Sequence, residues 1–330
     1  MKTILILFVG AFLIFNCTAH AQRANYSHYK TIHVGDQGGW DYLAIDEVNN
    51  KLYVSHSTKV LVISIDKDSV IAEIPNTLGV HGIAIDHELN KGFISDGRTN
   101  SVTAFDLKTY KVIDTLAISG TNPDAILYDP YSKKVFTFNG RSHNATVIDA
   151  ASFKVLDSIN LPGKPEFAVT DLHGKIYVNI EDKSEIVQFD SKTHKVLNTW
   201  SITPGEEPSG LAIDRANSLL FSVCDNKKMV VFDITKGKTI QSIPIGGGVD
   251  AVSFDPQTKL IYTSNGEGNV TIIKQLNLLT YQVIQTLPTQ AGSRTMTLDV
   301  KSKKIYLSAA KFEEGTRKMI PGSFEILVYK

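Results

Sequence analysis

Apolar and polar residues alternate with a period of two along almost the whole chain, the pattern of half-buried strands and not of helices. IAID (83–86), GFIS (92–95), VTAFD (102–106) and VIDTL (112–116) follow one another with turn-formers at Asn90, Gly97, Asn100 and Lys108 between them. Amphipathic stretches of helical spacing longer than about eight residues are lacking. The pattern therefore predicts an all-β protein of short strands.

Those strands are organised by an internal repeat. An apolar-small-apolar-Asp motif ends at Asp46, Asp86, Asp129, Asp171, Asp214, Asp255 and Asp299. Each Asp is followed six or seven residues later by an aromatic: Tyr53, Phe93, Phe136, Tyr177, Phe221, Tyr262 and Tyr306. Four short strands per repeat of about 40 residues is the arithmetic of a propeller blade. The last repeat supplies only TMTLD, KIYLS and FEILVY, one strand short, while TIHV (Thr31 to Val34) precedes the first repeat without a blade of its own. A seven-bladed β-propeller follows, with four antiparallel strands per blade and the N-terminal strand completing the last one, so that no sheet edge is left open. It spans about residues 28–330 of a single domain, 22–330.

The N-terminus reads differently. Lys2 precedes an apolar run from Ile4 to Phe15, and Ala19-His20-Ala21 has the small-x-small form that a signal peptidase cleaves, so residues 1–21 are expected to be a signal peptide. The run is too short to span a bilayer comfortably. Phe15-Asn16 places bulky and polar residues before Cys17 where a lipobox needs small ones, which argues against lipoprotein anchoring. The expectation is an exported protein, periplasmic or extracellular, with no transmembrane segment after cleavage and with Cys224 as its single thiol. The 34 basic and 34 acidic residues balance, which argues against nucleic acid as a partner, and 42% hydrophobic residues suffice for a large core.

The repeats, above all KIYVNIEDKSEIVQFD (175–190) and GVHGIAID (79–86), resemble the YVTN-type β-propeller repeats of exported YncE-like bacterial proteins. The resemblance covers essentially the whole mature chain and implies a periplasmic or surface propeller, without implying any one reaction. Members have been linked with nucleic-acid binding, which the charge balance here opposes. Tryptophan-aspartate signatures are absent.

In a propeller the first strand of each blade lines the central channel. Five residues before each repeat Asp stand Asp41, His81, Asp124, Glu166, Ser209, Asp250 and Arg294, six ionisable groups in one register. They read either as the solvated start of each strand or as a site at one channel mouth. Ring closure places Arg294 between Asp250 and Asp41, where one guanidinium would offset both. His81, Asp124 and Glu166 then remain without a cation, and would bind a divalent metal such as Zn, Mn or Fe or raise one another's proton affinity. The hairpins joining second and third strands open on the same face and bring Arg98 and Arg141, either anion-binding groups or plain surface charges. An insertion in the seventh blade, residues 310–323, overhangs that mouth; a smaller one, 274–282, lies at the opposite face. Trp40 either caps the channel or stacks on a ligand, and Cys224 reads as a small buried hydrophobe.

The first functional expectation is a monomeric binding module whose mouth recognises a small polar ligand, a cation or an envelope protein through Asp41, His81, Asp124, Glu166, Ser209, Asp250, Arg294, Arg98 and Arg141. The alternative is a lactonase-like hydrolase or lyase, with His81 or Glu166 as general base and Arg294 or a metal stabilising negative charge. A third is a pure scaffold. No nucleophile elbow is visible.

Overall fold

The computed structural model describes residues 25–35, 38–316 and 318–330; the expected signal peptide and Cys17 lie outside them. Seven four-stranded antiparallel sheets form a seven-bladed β-propeller. Blades 1 to 6 take their strands in chain order, blade 1 running Trp40–Asp46, Lys51–His56, Lys59–Ser64 and Ser69–Pro75. Blade 7 is built from Met296–Asp299, Lys304–Ala309, Glu325–Tyr329 and, outermost, His28–His33. The N-terminal strand thus closes the ring, beginning at His28 rather than Thr31. First strands of neighbouring blades lie against one another all the way round, blade 7 against blade 1 included.

The repeat now has a physical reason. Six of the seven repeat Asp residues end a first strand and Asp171 directly follows one. In all but Asp214, whose carboxylate accepts the Asn217 side-chain amide, the carboxylate accepts backbone N–H groups of the following turn: Asp46 from Val48 and Asn49 at 3.1 and 2.9 Å, Asp86 from Glu88 at 2.9 Å, Asp299 from Lys301 at 3.0 Å. The repeat aromatics are buried, and several reach the next blade, Tyr53 meeting Phe105 at 5.5 Å and Phe136 meeting Phe189 at 5.6 Å between ring centroids. Burying one such ring stabilises by roughly 1.5–3 kcal/mol, so the repeat aromatic ties blade to blade.

One irregularity positions the site. In blades 1 to 6 the register between first and second strand shifts at the start of the first strand, between Trp40 and Leu43, Val80 and Ile83, Pro123 and Ile126, Pro165 and Ala168, Pro208 and Leu211, and Val249 and Ala251. The bulged stretches hold Asp41, His81, Asp124, Glu166, Ser209 and Asp250. A bulge turns its extra residue out of the ladder, which frees these side chains to face the channel. The 274–282 segment is not a loop insertion: it lengthens two strands, Asn269–Asn277 and Thr280–Pro288, into a longer hairpin. Among the described residues no helix is long and apolar enough to cross a membrane.

Candidate functional site

Buried polar residues of the second strands hold the bulged backbone. The Asp41 N–H donates to Ser55 Oγ at 2.9 Å, and the Gly82 N–H donates to Ser95 Oγ at 2.9 Å. Ser95 Oγ in turn donates to the Asp124 carbonyl of the next blade at 2.5 Å, the Asn179 amide donates to the Ser209 and Gly210 carbonyls at 3.0 and 3.1 Å, and Ser264 donates to the Arg294 carbonyl. Sequence reasoning missed Ser55, Ser95 and Ser264 among them. They lie two positions after a repeat aromatic, in a slot that an otherwise apolar strand fills with a buried polar group.

All seven rim residues line one cavity of about 450 Å³ at the channel mouth. Tyr42, Lys164, Glu181, Glu207 and Asp225 join them, so among the described residues seven carboxylates face three cationic side chains. Glu181 and Asp225 come from the second-to-third-strand hairpins. Lys164 and Glu207 escaped sequence reasoning although they share a register, two residues before the rim position, where other blades carry Gly39, Gly79, Asn122, Gly248 and Gly292. Tyr42 packs against Phe167 at 5.3 Å between ring centroids, and burial with the surrounding carboxylates raises its phenol well above the usual value.

The pairing inside the mouth differs from the expected one. Arg294 Nε meets Asp250 Oδ2 at 3.1 Å, and Asp41 is taken instead by His81, whose Nδ1 lies 2.5 Å from Asp41 Oδ2 and 3.6 Å from Asp124 Oδ1. Lys164, absent from the sequence argument, binds Glu166 at 2.8 Å and also Glu181. The three-donor cluster is therefore Asp41, His81 and Asp124, with one ligand atom from each within 4.8 Å of the others, and not His81, Asp124 and Glu166. A neighbouring hairpin fixes the imidazole: a Cβ on Gly97 would stand 2.6 Å from His81 Nε2. The Asp-Gly pair there leaves room for the ring, beyond any turn preference.

Electrostatics follow from too few cations. Burial alone would lower the His81 imidazole, but its hydrogen bond to Asp41 and the charges of Asp124, Asp41 and Glu166 lift it to about 9. Burial and then the other carboxylates push Asp250 up to about 7 against the pull of Arg294. Burial also raises Asp124, opposed by His81, and raises Glu166, helped by Asp124 and opposed by Lys164. Such a mouth favours any cation that arrives. One imidazole and two carboxylates are suitable ligands for a divalent transition metal, with coordination positions left open to the cavity.

The remaining predicted residues divide. Ser209 lines the mouth, but its hydroxyl donates to the Val249 carbonyl at 3.1 Å. Arg98 lines an adjoining cavity of about 200 Å³ with Trp40, Asp41 and His81. Arg141 lines neither cavity. Cys224 is buried and its thiol is pushed up to about 12 by burial, so it offers no nucleophile.

No family model and no curated protein matches the chain. Solved structures do. A chain of the Kuenenia stuttgartiensis hydrazine synthase is similar at 15% identity with a TM-score of 0.72, covering 85% of this chain and 94% of that one. The RRP9 WD40 repeats are similar at 9% identity with a TM-score of 0.78, covering 91% and 97%. U3-55K is similar at 9% identity with a TM-score of 0.76, covering 90% and 97%. At such identities the likeness extends to the fold alone.

Proposed function

We propose that this chain is an exported, monomeric propeller of the YVTN-repeat, YncE-like kind whose channel mouth binds a small cation, with Asp41, His81 and Asp124 as the donors for a divalent metal. The carrying observation is the cluster itself: three donor atoms within 4.8 Å of one another in a cavity where, among the described residues, seven carboxylates face three cations. Asp250 and Glu166 tune the field around it, Arg294 and Lys164 keep it from being more acidic still, and a small polar ligand or an envelope protein presenting a cation is the class of partner that fits. Export rests on the 1–21 leader pattern. Metal analysis of purified protein, with thermal shift in Mn²⁺, Zn²⁺ and Ca²⁺, tests the reading: stabilisation of the wild type that is lost in His81→Ala supports it, and no shift in either protein rejects it.

A metal-assisted hydrolase is the second reading, favoured by one observation. Glu166 is nearly buried, faces the same cavity and has its proton affinity raised by burial and by Asp124, which suits a general acid or base beside a Lewis-acidic metal. Arg294, committed to Asp250, is the weaker part of that reading. A lactone and ester panel on metal-loaded protein tests it, with loss of turnover expected in Glu166→Gln.

A further inference from the structure

Blade 7 carries the one long departure from the repeat, and it builds a second cavity beside the mouth. Residues 310–316 and 318–323 lie against one another through a bridge between Phe312 and Met319, with Glu313 N–H donating to the Lys318 carbonyl at 2.9 Å and Ile320 N–H to the Lys311 carbonyl at 2.8 Å. The Gln290 amide fastens the base at the Ala310 carbonyl, 2.5 Å away. The hairpin overhangs Trp40, whose indole rests on buried Phe324 at 5.3 Å and meets Phe312 at 6.3 Å. Between them opens a cleft of about 650 Å³ with Trp40, Phe312 and Met319 as its apolar walls. That volume suits a small organic molecule.

Two features show that the cleft is left open. Phe312 is 40% exposed although it faces this cavity. Gly39 and Gly292 lie along it without any packing need for glycine at Gly39, where a Cβ would meet nothing within 4 Å. The cleft also adjoins the mouth. Arg294 lines both, and Trp40 and Asp41 are consecutive residues of one bulged strand, the first facing the cleft and the second the carboxylates. Among the described residues Arg294 is the one charged residue of the cleft, and its Nε already lies against Asp250. A head group leaving the cleft for the mouth therefore enters a field of excess negative charge.

We propose that the mouth also accepts, in place of a metal ion, an organic ammonium ion with an apolar arm, the ammonium held by Asp41 and Asp250 and the arm seated among Trp40, Phe312 and Met319. The proposal rests on the cation reading above and names a ligand class for it. Indole and phenyl walls add attraction for both the arm and the adjoining charge.

Titration calorimetry of the full mature chain with phenethylammonium and methylammonium tests it. Phenethylammonium is expected to bind at least about tenfold more tightly, and Phe312→Ala and Gly39→Leu, the second at a cleft position where a Cβ meets nothing within 4 Å, are each expected to remove most of that preference. Equal affinity for the two amines, a preference that survives both substitutions, or tighter binding of 3-phenylpropionate overturns the proposal. Mn²⁺ is titrated in parallel. Mn²⁺ binding with no amine binding overturns this inference while the cation reading stands; silence from Mn²⁺ and both amines removes both.

Discussion

Asp250 stands second and Asp255 last in one strand, Val249–Asp255, yet their environments are opposite. Asp255 accepts the Gln257 N–H at 2.9 Å, the Thr258 hydroxyl at 2.6 Å and the Lys303 ammonium at 2.7 Å; burial works against it, but these three partners hold its carboxyl below the usual range. Asp250 has Arg294 at 3.1 Å among neighbouring carboxylates, and burial lifts it to about 7. The first kind of Asp recurs at the same place in seven repeats and builds turns. The second belongs to a ring whose residue type changes from blade to blade, and its acids are half-buried or buried with fewer donors than they have lone pairs. Regularity marks the acid that the fold needs; irregularity in a fixed register marks the acid that the fold tolerates for another purpose.

That contrast predicts effects of opposite sign. Asp255→Ala removes three hydrogen bonds from a fully buried site and leaves Lys303 without its anionic partner, with only Gln257 Oε1 to accept from it, so denaturant unfolding should show a loss of about 3 kcal/mol. An unchanged midpoint would show the repeat Asp to be ornamental. Asp250→Asn should do the reverse. The folded state takes up this proton far more readily than the unfolded chain, so the carboxylate costs nothing below about pH 4, and its cost grows until the pH passes about 7. Removing the charge should therefore add on the order of 2 kcal/mol at pH 8 and nothing at pH 4, and a gain independent of pH would refute this explanation. Asp124→Asn should weaken divalent-ion affinity at least about tenfold, near 1.4 kcal/mol, with no loss in thermal midpoint; parallel loss of both would make Asp124 a structural acid like Asp255. The smallest effect is expected of Arg141→Ala, within about 0.5 kcal/mol in stability and with no change in ion affinity, since that side chain is away from the mouth.

The same contrast explains what was readable in advance. Blade number, strand count and ring closure were legible because a repeat must solve one packing problem seven times, and the Asp turns and the aromatics from Tyr53 to Tyr306 are its visible solution. The rim register was legible too, for all seven of its residues meet in one cavity. Pairing within the rim was not. Whether Asp41 turns to Arg294 or to His81 depends on how two bulges aim their side chains, and a bulge leaves no mark in an alternating pattern. Lys164 was hidden for a simpler reason: it lies two residues before Glu166, on the same side of an extended chain, in a register where four other blades carry glycine and so show no chemistry. The apolar cleft needed the path of residues 310–323, which breaks the repeat and so has no template within the chain.

Calorimetric titration of the mature chain with Mn²⁺, wild type beside His81→Ala, tests the central claim most directly. One ion per chain is predicted to bind the wild type, and the substitution is predicted to weaken that binding at least about tenfold while the thermal midpoint holds. Absence of binding at millimolar Mn²⁺, or equal binding by both proteins, would contradict the assignment of the channel mouth as a cation site.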